Sequence, residues 1–329
     1  MKPGNASSGT VVVLGENLID VVVGDEGPTL NLGGGPFTVA RTIARLGLSP
    51  QFFSGVANDR FGIQVRDALL EDGVIIAFGR PSTKPTTLAV ADSRGGSTSY
   101  TFYLADTAAF EIDTDTTLAL YRSLPTPTAL YVGTLGLVVE PMASVALALV
   151  AATDPATMVV VDPNCRPSAT YDPERYRSRL DELFNRADVV KVSVEDLAFI
   201  DPDRDHLEVA HAIAERGVPW IIVTDGVRPI RLLGPRGLSE FPVDVRSVVD
   251  TIGAGDALVG GFLSWWVGHH LGRLALSEHD AVNDALTAAM TIAAITCERR
   301  GALPPTRVDL GDDPSWRWLT TPRRTDSPK

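Results

Sequence analysis

The chain has 329 residues, 44% of them hydrophobic, and a mean hydropathy of +0.09, a composition typical of a globular protein with a large core. Lys and Arg total 29 against 41 Asp and Glu, which gives a formal net charge of −12 at pH 7. Such a charge repels polyanions, and the arginines are scattered along the chain, so a nucleic-acid-binding protein is disfavoured.

Cysteine content and apolar runs bear on the cellular compartment. One disulfide between Cys165 and Cys297 is arithmetically possible, but two cysteines fit reduced intracellular thiols at least as well. Residues 1–10 lack the basic start and apolar run of a signal peptide. The longest apolar stretch, residues 142–152, is too short to span a bilayer. We therefore expect a cytoplasmic protein with no membrane partner.

The N-terminal third begins with alternating strands and helices. Residues 10–14 and 51–56 are apolar runs that predict buried strands. Residues 33–36, Gly-Gly-Gly-Pro, predict a turn leading into a helix, because proline is favoured at the first helical position. A second helix is predicted over residues 60–70, ending near Gly73.

Residues 81–103 differ from their surroundings. Two strands are predicted at residues 86–91 and 97–103, joined by Asp-Ser-Arg-Gly-Gly at residues 92–96, which is typical of a β-hairpin. A ribbon inside a chain that otherwise alternates strands with helices predicts a small sheet outside the main body.

Strands and helices alternate again in the remainder, which predicts a mostly parallel sheet covered on both faces. The predicted strands are residues 130–132, 158–161, 189–192 and 220–223, and the helices between them are residues 142–152, 174–186 and 207–216. Two long helices are predicted to start near Gly253 and near Asp280. The tail after Pro304 is rich in Pro, Arg and Asp, which predicts a frayed end.

The most informative stretch begins at Asp250 and reads Asp-Thr-Ile-Gly-Ala-Gly-Asp before an apolar run. Small residues at the start of a helix leave free N–H groups accessible, and these groups favour an anion such as a phosphate. Asp256 lies in the first turn of that helix. It could accept the proton of an attacking hydroxyl, or it could be only a favourable first-turn charge.

This stretch resembles the Asp-Thr-x-Gly-Ala-Gly-Asp signature of the ribokinase-like (PfkB) sugar kinases. The resemblance covers about residues 11–304 and is nearest to bacterial fructokinases. It implies an α/β fold, a three-layer αβα sandwich with a mostly parallel sheet and a small β-sheet lid. It also implies ATP and Mg²⁺, with K⁺ as a candidate monovalent cation. Asp256 would be the catalytic base, and Gly253, Ala254 and Gly255 would stabilise the developing phosphate charge.

Two N-terminal segments are similar to the sugar-binding segments of the family. Gly-Glu-Asn-Leu-Ile-Asp at residues 15–20 implies that Asp20 binds sugar hydroxyls, with a turn or lid-hinge aspartate as the alternative. Gly33 and Gly34 match the family's Gly-Gly-x-Pro-x-Asn-x-Ala segment, but the Asn position is Thr38 here. A threonine hydroxyl is shorter than an asparagine amide and cannot make the same hydrogen bonds, so Thr38 leaves the identity of the sugar open.

Asp-Pro-Asn-Cys-Arg at residues 162–166 resembles a family segment that faces the transferred phosphate. It implies that Asn164 contacts the substrate. It also implies that Arg166 contacts the phosphate, for which a guanidinium is suited. A salt bridge between Arg166 and Asp162 is the alternative.

A further segment falls where the family has Asn-x-x-Glu, which organises magnesium through water. Here Ser193 replaces the Asn, and Asp196 occupies the Glu position with Glu195 beside it. Glu195 and Asp196 are candidates either for the water shell of the metal or for surface roles.

The nucleotide side is implied by short segments in the C-terminal half. Thr-Asp-Gly at residues 224–226 and Arg-Arg-Gly-Ala at residues 299–302 match family segments near the nucleotide, while Met290 stands where an Asn often contacts adenine. The nucleotide-binding residues implied by the resemblance are Thr224, Gly226, Asp250, Gly253, Gly255 and Gly301.

Other cofactor-binding classes lack their motifs. None of the four lysines follows a glycine, so a P-loop is excluded, and Gly253-Ala-Gly255 lacks the third glycine of a dinucleotide fold. No His-Glu-x-x-His motif indicates a metallohydrolase. A non-catalytic sugar- or nucleotide-binding regulator on the kinase fold stays open. Among kinases, 2-keto-3-deoxygluconate kinase is the first alternative to fructokinase, and nucleoside kinases come third.

We expect one kinase domain over residues 10–304, with lid segments at about 16–32 and 80–108, and a C-terminal tail over 305–329. The sugar would lie between lid and sheet, with ATP across the carboxyl ends of the strands. The expected reaction is transfer of the γ-phosphoryl group to a hydroxymethyl group of a small sugar, a ketohexose such as fructose. Exposed lid edges predict a homodimer.

Overall fold

A computed structural model of the chain describes residues 9–24, 27–92, 99–244 and 247–319. Its strands are β1 (Val11–Leu14), β2 (Leu18–Gly24), β3 (Gly27–Gly33), β4 (Gln51–Phe53), β5 (Ile75–Ile76), β6 (Leu88–Asp92), β7 (Ser99–Tyr103), β8 (Ala129–Gly133), β9 (Met158–Asp162), β10 (Val189–Ser193), β11 (Trp220–Thr224), β12 (Ile230–Gly234) and β13 (Gly237–Phe241). Its helices are α1 (Gly35–Arg45), α2 (Arg60–Asp72), α3 (Thr114–Ser123), α4 (Met142–Ala151), α5 (Pro173–Phe184), α6 (Val194–Ile200), α7 (His206–Glu215), α8 (Ala254–Gly268) and α9 (His279–Cys297).

Nine strands form the main sheet in the order β13-β12-β11-β10-β9-β8-β1-β4-β5. Seven of these strands are parallel, namely β11, β10, β9, β8, β1, β4 and β5, and β12 and β13 add an antiparallel edge. Because the central strands are covered on both faces, they are continuous apolar runs such as Val-Val-Val-Leu in β1.

Helices cover both faces of the main sheet. Val11 and Val13 of β1 pack into one core with α1, α2, α8 and α9. Val12 and Leu14 point the opposite way, into a second core with α3 to α7. This alternation of side chains along a buried strand produces the three layers of the fold.

The four remaining strands form a separate small sheet, which we call the lid, in the order β3-β2-β6-β7. Both β2–β3 and β6–β7 are antiparallel pairs, whereas β2 and β6 pair in parallel. The lid strands lie in the two segments where the sequence predicts the lid. Of the predicted hairpin turn, residues 93–96 lie outside the described residues.

The helix boundaries follow local signals in the sequence. Asp59 caps α2 by accepting a hydrogen bond from the Gly62 N–H at 2.8 Å, and the helix ends at Gly73, which has a φ of 94°. The predicted strand at residues 51–56 is shorter than expected, since β4 ends at Phe53. The helices α3 and α6 and the hairpin β12–β13 have no counterpart among the sequence predictions.

As far as residue 319, the C-terminal tail differs from the expectation of a frayed end, and the rest of that prediction, residues 320–329, lies outside the described residues. Residues 307–310 and 314–319 form 3₁₀ turns, and Arg299 pairs with Asp309 at 3.0 Å. The Trp316 side chain is only 2% exposed and belongs to the core formed with α8 and α9. The sequence does not predict this packing, because the segment is rich in Pro and Arg and contributes only one large apolar side chain to the described core.

Two further expectations concern cysteines and membranes. Cys165 and Cys297 are free thiols, in agreement with the prediction of reduced cysteines. Among the described residues, no helix is both long enough and apolar enough to cross a bilayer.

Candidate active site

A cleft of ≈ 500 Å³ opens at the carboxyl ends of the central strands, beneath the lid. Its floor comes from the segments that follow β1, β8 and β9, from β10 and from the start of α8. Its roof is one face of the lid. The lid residues in its wall are Leu18, Asp20, Val22, Ala89, Ala91, Tyr100 and Phe102. Topology thus brings residues far apart in sequence to one edge of the parallel sheet.

The N-terminus of α8 forms one wall of the cleft. Gly253 precedes the helix with a φ of 76°, and a β-carbon there would collide with Ala302. Both observations explain the need for glycine at this position. No side chain caps α8, and the Ala254 N–H makes only a long hydrogen bond, 3.3 Å to the Thr251 carbonyl oxygen, so the start of this helix can bind an anion.

Asp256 lies in that first turn, and the Oδ1 atom of its half-buried side chain is shielded from solvent. Its Oδ1 atom makes no hydrogen bond to any residue that the structure describes, and a β-carbon placed at Gly35 would lie 2.8 Å from it. Burial raises the pKa of Asp256, while Lys191 and Arg166 lower it. A buried carboxyl group without a partner destabilises the fold, which favours a chemical role over that of a simple first-turn charge.

Asp20 lies opposite Asp256, on lid strand β2. A β-carbon at Gly33 would overlap its carboxylate, so the glycine makes room for the acid. Burial and then the charge of Asp256 raise the pKa of Asp20 to about 6, while Arg166 opposes them. The position of Asp20 within a strand of the lid replaces the alternative of a turn aspartate.

Thr38 and Gly34 reach the cleft from the start of α1. Thr38 is 1% exposed, and its Cγ2 atom would lie 3.4 Å from a β-carbon at Gly253. Gly34 caps α1 with a φ of 106°, and a β-carbon there would lie 2.7 Å from the Glu16 carbonyl oxygen. The start of α1 therefore lines the cleft and approaches the turn that precedes α8.

Asn164 and Arg166 follow β9 and line the same cleft. Arg166 Nη1 donates to the carbonyl oxygens of Asn164 and Cys165 at 3.2 and 3.0 Å. These bonds hold the guanidinium over the cleft. No salt bridge between Arg166 and Asp162 occurs, because Asp162 pairs instead with Lys191.

Sequence reasoning missed Glu16 and Lys191, both of which line the cleft. Glu16 is buried, accepts hydrogen bonds from Gly35 N at 3.2 Å and Gly136 N at 3.1 Å, and also bonds to the Thr134 hydroxyl. Burial raises the pKa of Glu16 to about 7, although the hydrogen bonds from Thr134 and Gly136 oppose the shift. The signal for Lys191 was available in the sequence, since a lysine inside the apolar run of a predicted buried strand is unusual.

The predicted nucleotide residues are only partly brought together. Thr224 and Gly255 line the cleft, whereas Gly226 lies outside its wall. Asp250 Oδ2 accepts a hydrogen bond from Gly301 N at 2.9 Å, so this pair fixes the loop before Ala302. Gly301 has a φ of 68°, a conformation that favours glycine.

The two metal candidates differ in environment. Glu195 is exposed. Asp196 is buried, and its oxygens accept hydrogen bonds from Cys165 N at 2.6 Å and Ser193 N at 2.7 Å. Together with the Ser193 hydroxyl it forms a capping box at the start of α6. Neither acid belongs to a metal-binding cluster, because the described residues contain no group of three or more His, Cys, Asp or Glu that could hold a metal ion.

Comparison with known proteins identifies the family. The family model described as pfkB family carbohydrate kinase matches residues 9–308. The chain is a member of the pfkB carbohydrate kinase family. This pfkB kinase is therefore a phosphotransferase with an alcohol group as acceptor, which confirms the predictions of family, enzyme class and fold.

Individual relatives resemble the pfkB kinase over nearly its whole length. A fructokinase from Klebsiella pneumoniae is 30% identical over 305 residues, covering 90% of this chain and 95% of its own. The crystal structure of a fructokinase from Xylella fastidiosa with bound ATP superposes with a TM-score of 0.80 at 25% identity, covering 93% of this chain and 99% of that one. A double mutant of a Vibrio cholerae O395 fructokinase, with fructose, ADP and potassium ion bound, superposes with a TM-score of 0.78 at 26% identity, covering 90% and 94%.

Proposed function

We propose that this pfkB kinase transfers the γ-phosphoryl group of ATP to a hydroxymethyl group of a ketohexose, with fructose as the first candidate. One observation carries the proposal. Asp256 presents a carboxyl group whose buried Oδ1 atom has no hydrogen-bond partner among the described residues, at a helix N-terminus that can bind an anion. Fructose is supported by the Klebsiella and Vibrio relatives described above.

In the proposed reaction, Asp20 accepts hydrogen bonds from sugar hydroxyls and orients the hydroxymethyl group toward Asp256. The Asp256 carboxylate then takes the hydroxyl proton as the oxygen attacks the γ-phosphorus. The N–H groups at Gly253, Ala254 and Gly255 donate to the phosphoryl oxygens, where negative charge is spread during transfer.

Magnesium is part of the proposal, since ATP-dependent phosphoryl transfer uses it to neutralise phosphate charge. The described residues offer no ready-made acidic cage, which fits an ion held mainly by phosphates and water. Of the two roles that the sequence leaves open for Asp196 and Glu195, the proposal takes a contribution to the metal through water. A potassium ion is supported by the Vibrio relative crystallised with one.

A homodimer through the lid is a further part of the proposal. The edge strands of the lid are β3 and β7, and they carry exposed apolar side chains at Leu30 (56%) and Tyr103 (57%). Exposed strand edges of this kind favour pairing with a second copy. Light scattering of the purified protein tests this, and a monomer at high concentration would remove the dimer from the proposal.

A substrate panel with ATP tests the proposed function. It should include D-fructose, other ketohexoses, 2-keto-3-deoxygluconate and nucleosides, with ADP formation as the readout. We expect the highest kcat/KM with D-fructose. A preference for 2-keto-3-deoxygluconate would indicate that Arg166, which lines the cleft, binds a substrate carboxylate. Binding of sugar or ATP without turnover would favour the non-catalytic regulator.

Sugar binding should depend on pH through Asp20. The pKa of Asp20 is raised to about 6, so the acceptor carboxylate is lost as the pH falls below that value. Titration calorimetry with fructose and no nucleotide should show affinity falling about tenfold from pH 7 to pH 5. An Asp20→Asn variant serves as the control and should bind weakly at every pH. Equal wild-type affinity at pH 5 and pH 7 would contradict the role of Asp20.

Substitutions at Thr38 test the sugar side of the cleft. Thr38→Val keeps the methyl group and removes the hydroxyl, and a lost polar contact of about 0.5–1.5 kcal/mol should raise the sugar KM several-fold and leave the ATP KM unchanged. Thr38→Asn should hold or improve activity if the native sugar is one the family usually binds. Thr42→Val is the matched control, because the Thr42 hydroxyl donates to the Thr38 carbonyl oxygen inside α1. If neither Thr38 variant alters a sugar constant, Thr38 does not face the sugar.

A further inference from the structure

A buried lysine lies in the floor of the cleft. Lys191 is the third residue of β10, between Val190 and Val192, and its side chain is 5% exposed. Its Nζ atom lies 3.3 Å from Asp162 Oδ2 and 3.4 Å from Asp162 Oδ1. A buried ammonium group requires such a partner to remain charged. The ion pair therefore explains how a positive charge is kept at this depth.

The ion pair with Asp162 does not use all the hydrogen-bond donors of the Lys191 ammonium group. Both distances are longer than the about 2.7–2.9 Å typical of a charged hydrogen bond, and Asp162 Oδ2 makes no hydrogen bond within the described part of the chain. An ammonium group has three donors, and Lys191 lines the cleft. At least one N–H is therefore available to a bound molecule.

The free side of Lys191 faces the start of α8. A β-carbon built at Gly255 would lie 3.0 Å from Lys191 Nζ and 3.3 Å from its Cε. The lysine charge thus adjoins the helix N-terminus that can bind a phosphate. Burial by itself lowers the pKa of Lys191, but the carboxylates of Asp162, Asp196 and Asp256 outweigh it and raise that pKa, so the ammonium stays protonated.

We propose that Lys191 is a further catalytic residue, whose ammonium group binds the transferred phosphoryl group beside Gly255. The inference rests on the proposed phosphoryl transfer. In that step the bond between the γ-phosphorus and the oxygen leaving with ADP breaks, a bond to the sugar hydroxymethyl oxygen forms, and the hydroxyl proton passes to Asp256. Lys191 donates to a phosphoryl oxygen throughout and stabilises the charge spread over these oxygens.

The alternative role for Lys191 is that of a counter-ion to Asp162 alone, and a double substitution separates the two roles. Lys191→Met leaves the Asp162 carboxylate buried and unpaired, and the variant could unfold for that reason. Lys191→Met combined with Asp162→Asn removes both charges while nearly keeping both shapes. Lys84→Met is the control for loss of a lysine, since Lys84 is 34% exposed and pairs with Asp106 and Glu111 away from the cleft.

The test compares kcat and nucleotide affinity in the double variant, with the melting temperature as the check on folding. We expect kcat to fall about a hundredfold or more. Affinity for a non-hydrolysable ATP analogue should fall about tenfold, and affinity for ADP should change little, because only the analogue carries the γ-phosphate. Recovery of wild-type kcat, or equal loss of affinity for analogue and ADP, would show that Lys191 is only a counter-ion. The nucleotide comparison needs no sugar, so it remains decisive if fructose is not the substrate.

Discussion

Replacing Asp256 with asparagine is expected to lower kcat by about 10²–10⁴-fold, or about 3–5 kcal/mol of barrier, while the protein stays folded. The amide is nearly the same shape as the carboxyl group but cannot take the hydroxyl proton. Because the Asp256 carboxyl group has a raised pKa and a buried Oδ1 atom without a partner among the described residues, neutralising it should not reduce the melting temperature. Coupled-assay kinetics and thermal unfolding measure the two effects separately.

The matched control for that substitution is Asp115→Asn. Asp115 is an exposed acid in the first turn of α3, so it shares the helix position of Asp256 without the cleft. Its substitution should leave kcat unchanged. Turnover near the wild-type level in the Asp256→Asn protein would show that another group is the base.

The Gly255→Val substitution should weaken binding of a non-hydrolysable ATP analogue about tenfold to a hundredfold, with little change in melting temperature. The branched side chain would meet Lys191 Nζ at the distance given above and would cover the N–H groups of the first turn of α8. Among the glycines of this turn, the left-handed conformation belongs to Gly253, so valine at Gly255 introduces no comparable backbone strain. Titration calorimetry with the purified variant measures the affinity.

Gly272→Val is the control for a valine replacing glycine. Gly272 lies in open surroundings without a left-handed φ, and nothing would contact a β-carbon there. That variant should bind the analogue like the wild type. If Gly255→Val also binds it normally, the turn before Asp256 does not contact phosphate.

The sequence predicted the fold and the centre of the candidate site because their signals are local. Apolar runs in β1 and β9 reveal buried parallel strands, and the glycines around Asp256 reveal a helix start open to an anion. The signature motif is specific enough that the family could be predicted from these residues, and the comparisons confirm it.

Other parts of the site depend on contacts between distant segments and could not be predicted in the same way. Glu16 connects two distant segments at the cleft by accepting hydrogen bonds from the backbone of Gly35 and Gly136. No pattern in the sequence indicates that these positions are close in space. Asp162 was predicted to have Arg166 as its possible partner, but the parallel pairing of β9 with β10 gives it Lys191 instead. Only the sheet order decides between the two cations.

Asp196 illustrates a local signal that the family resemblance obscured. Ser-Val-Glu-Asp at residues 193–196 has the spacing of a capping box, and the structure shows this capping box. The acid thus has a structural role whether or not it also contacts metal-bound water. Local hydrogen bonding of this kind is predictable from sequence when helix starts are considered first.

The packing of Trp316 shows that the folded core includes residues beyond the family match. The family match stops at residue 308, yet this indole lies in the same core as α8, the helix that carries Asp256. Removing a buried tryptophan from a core typically costs about 3–5 kcal/mol. A protein truncated at the boundary of the family match would therefore lose part of the packing that supports the helix carrying Asp256. The smallest stable version of this enzyme extends beyond the region that defines its family.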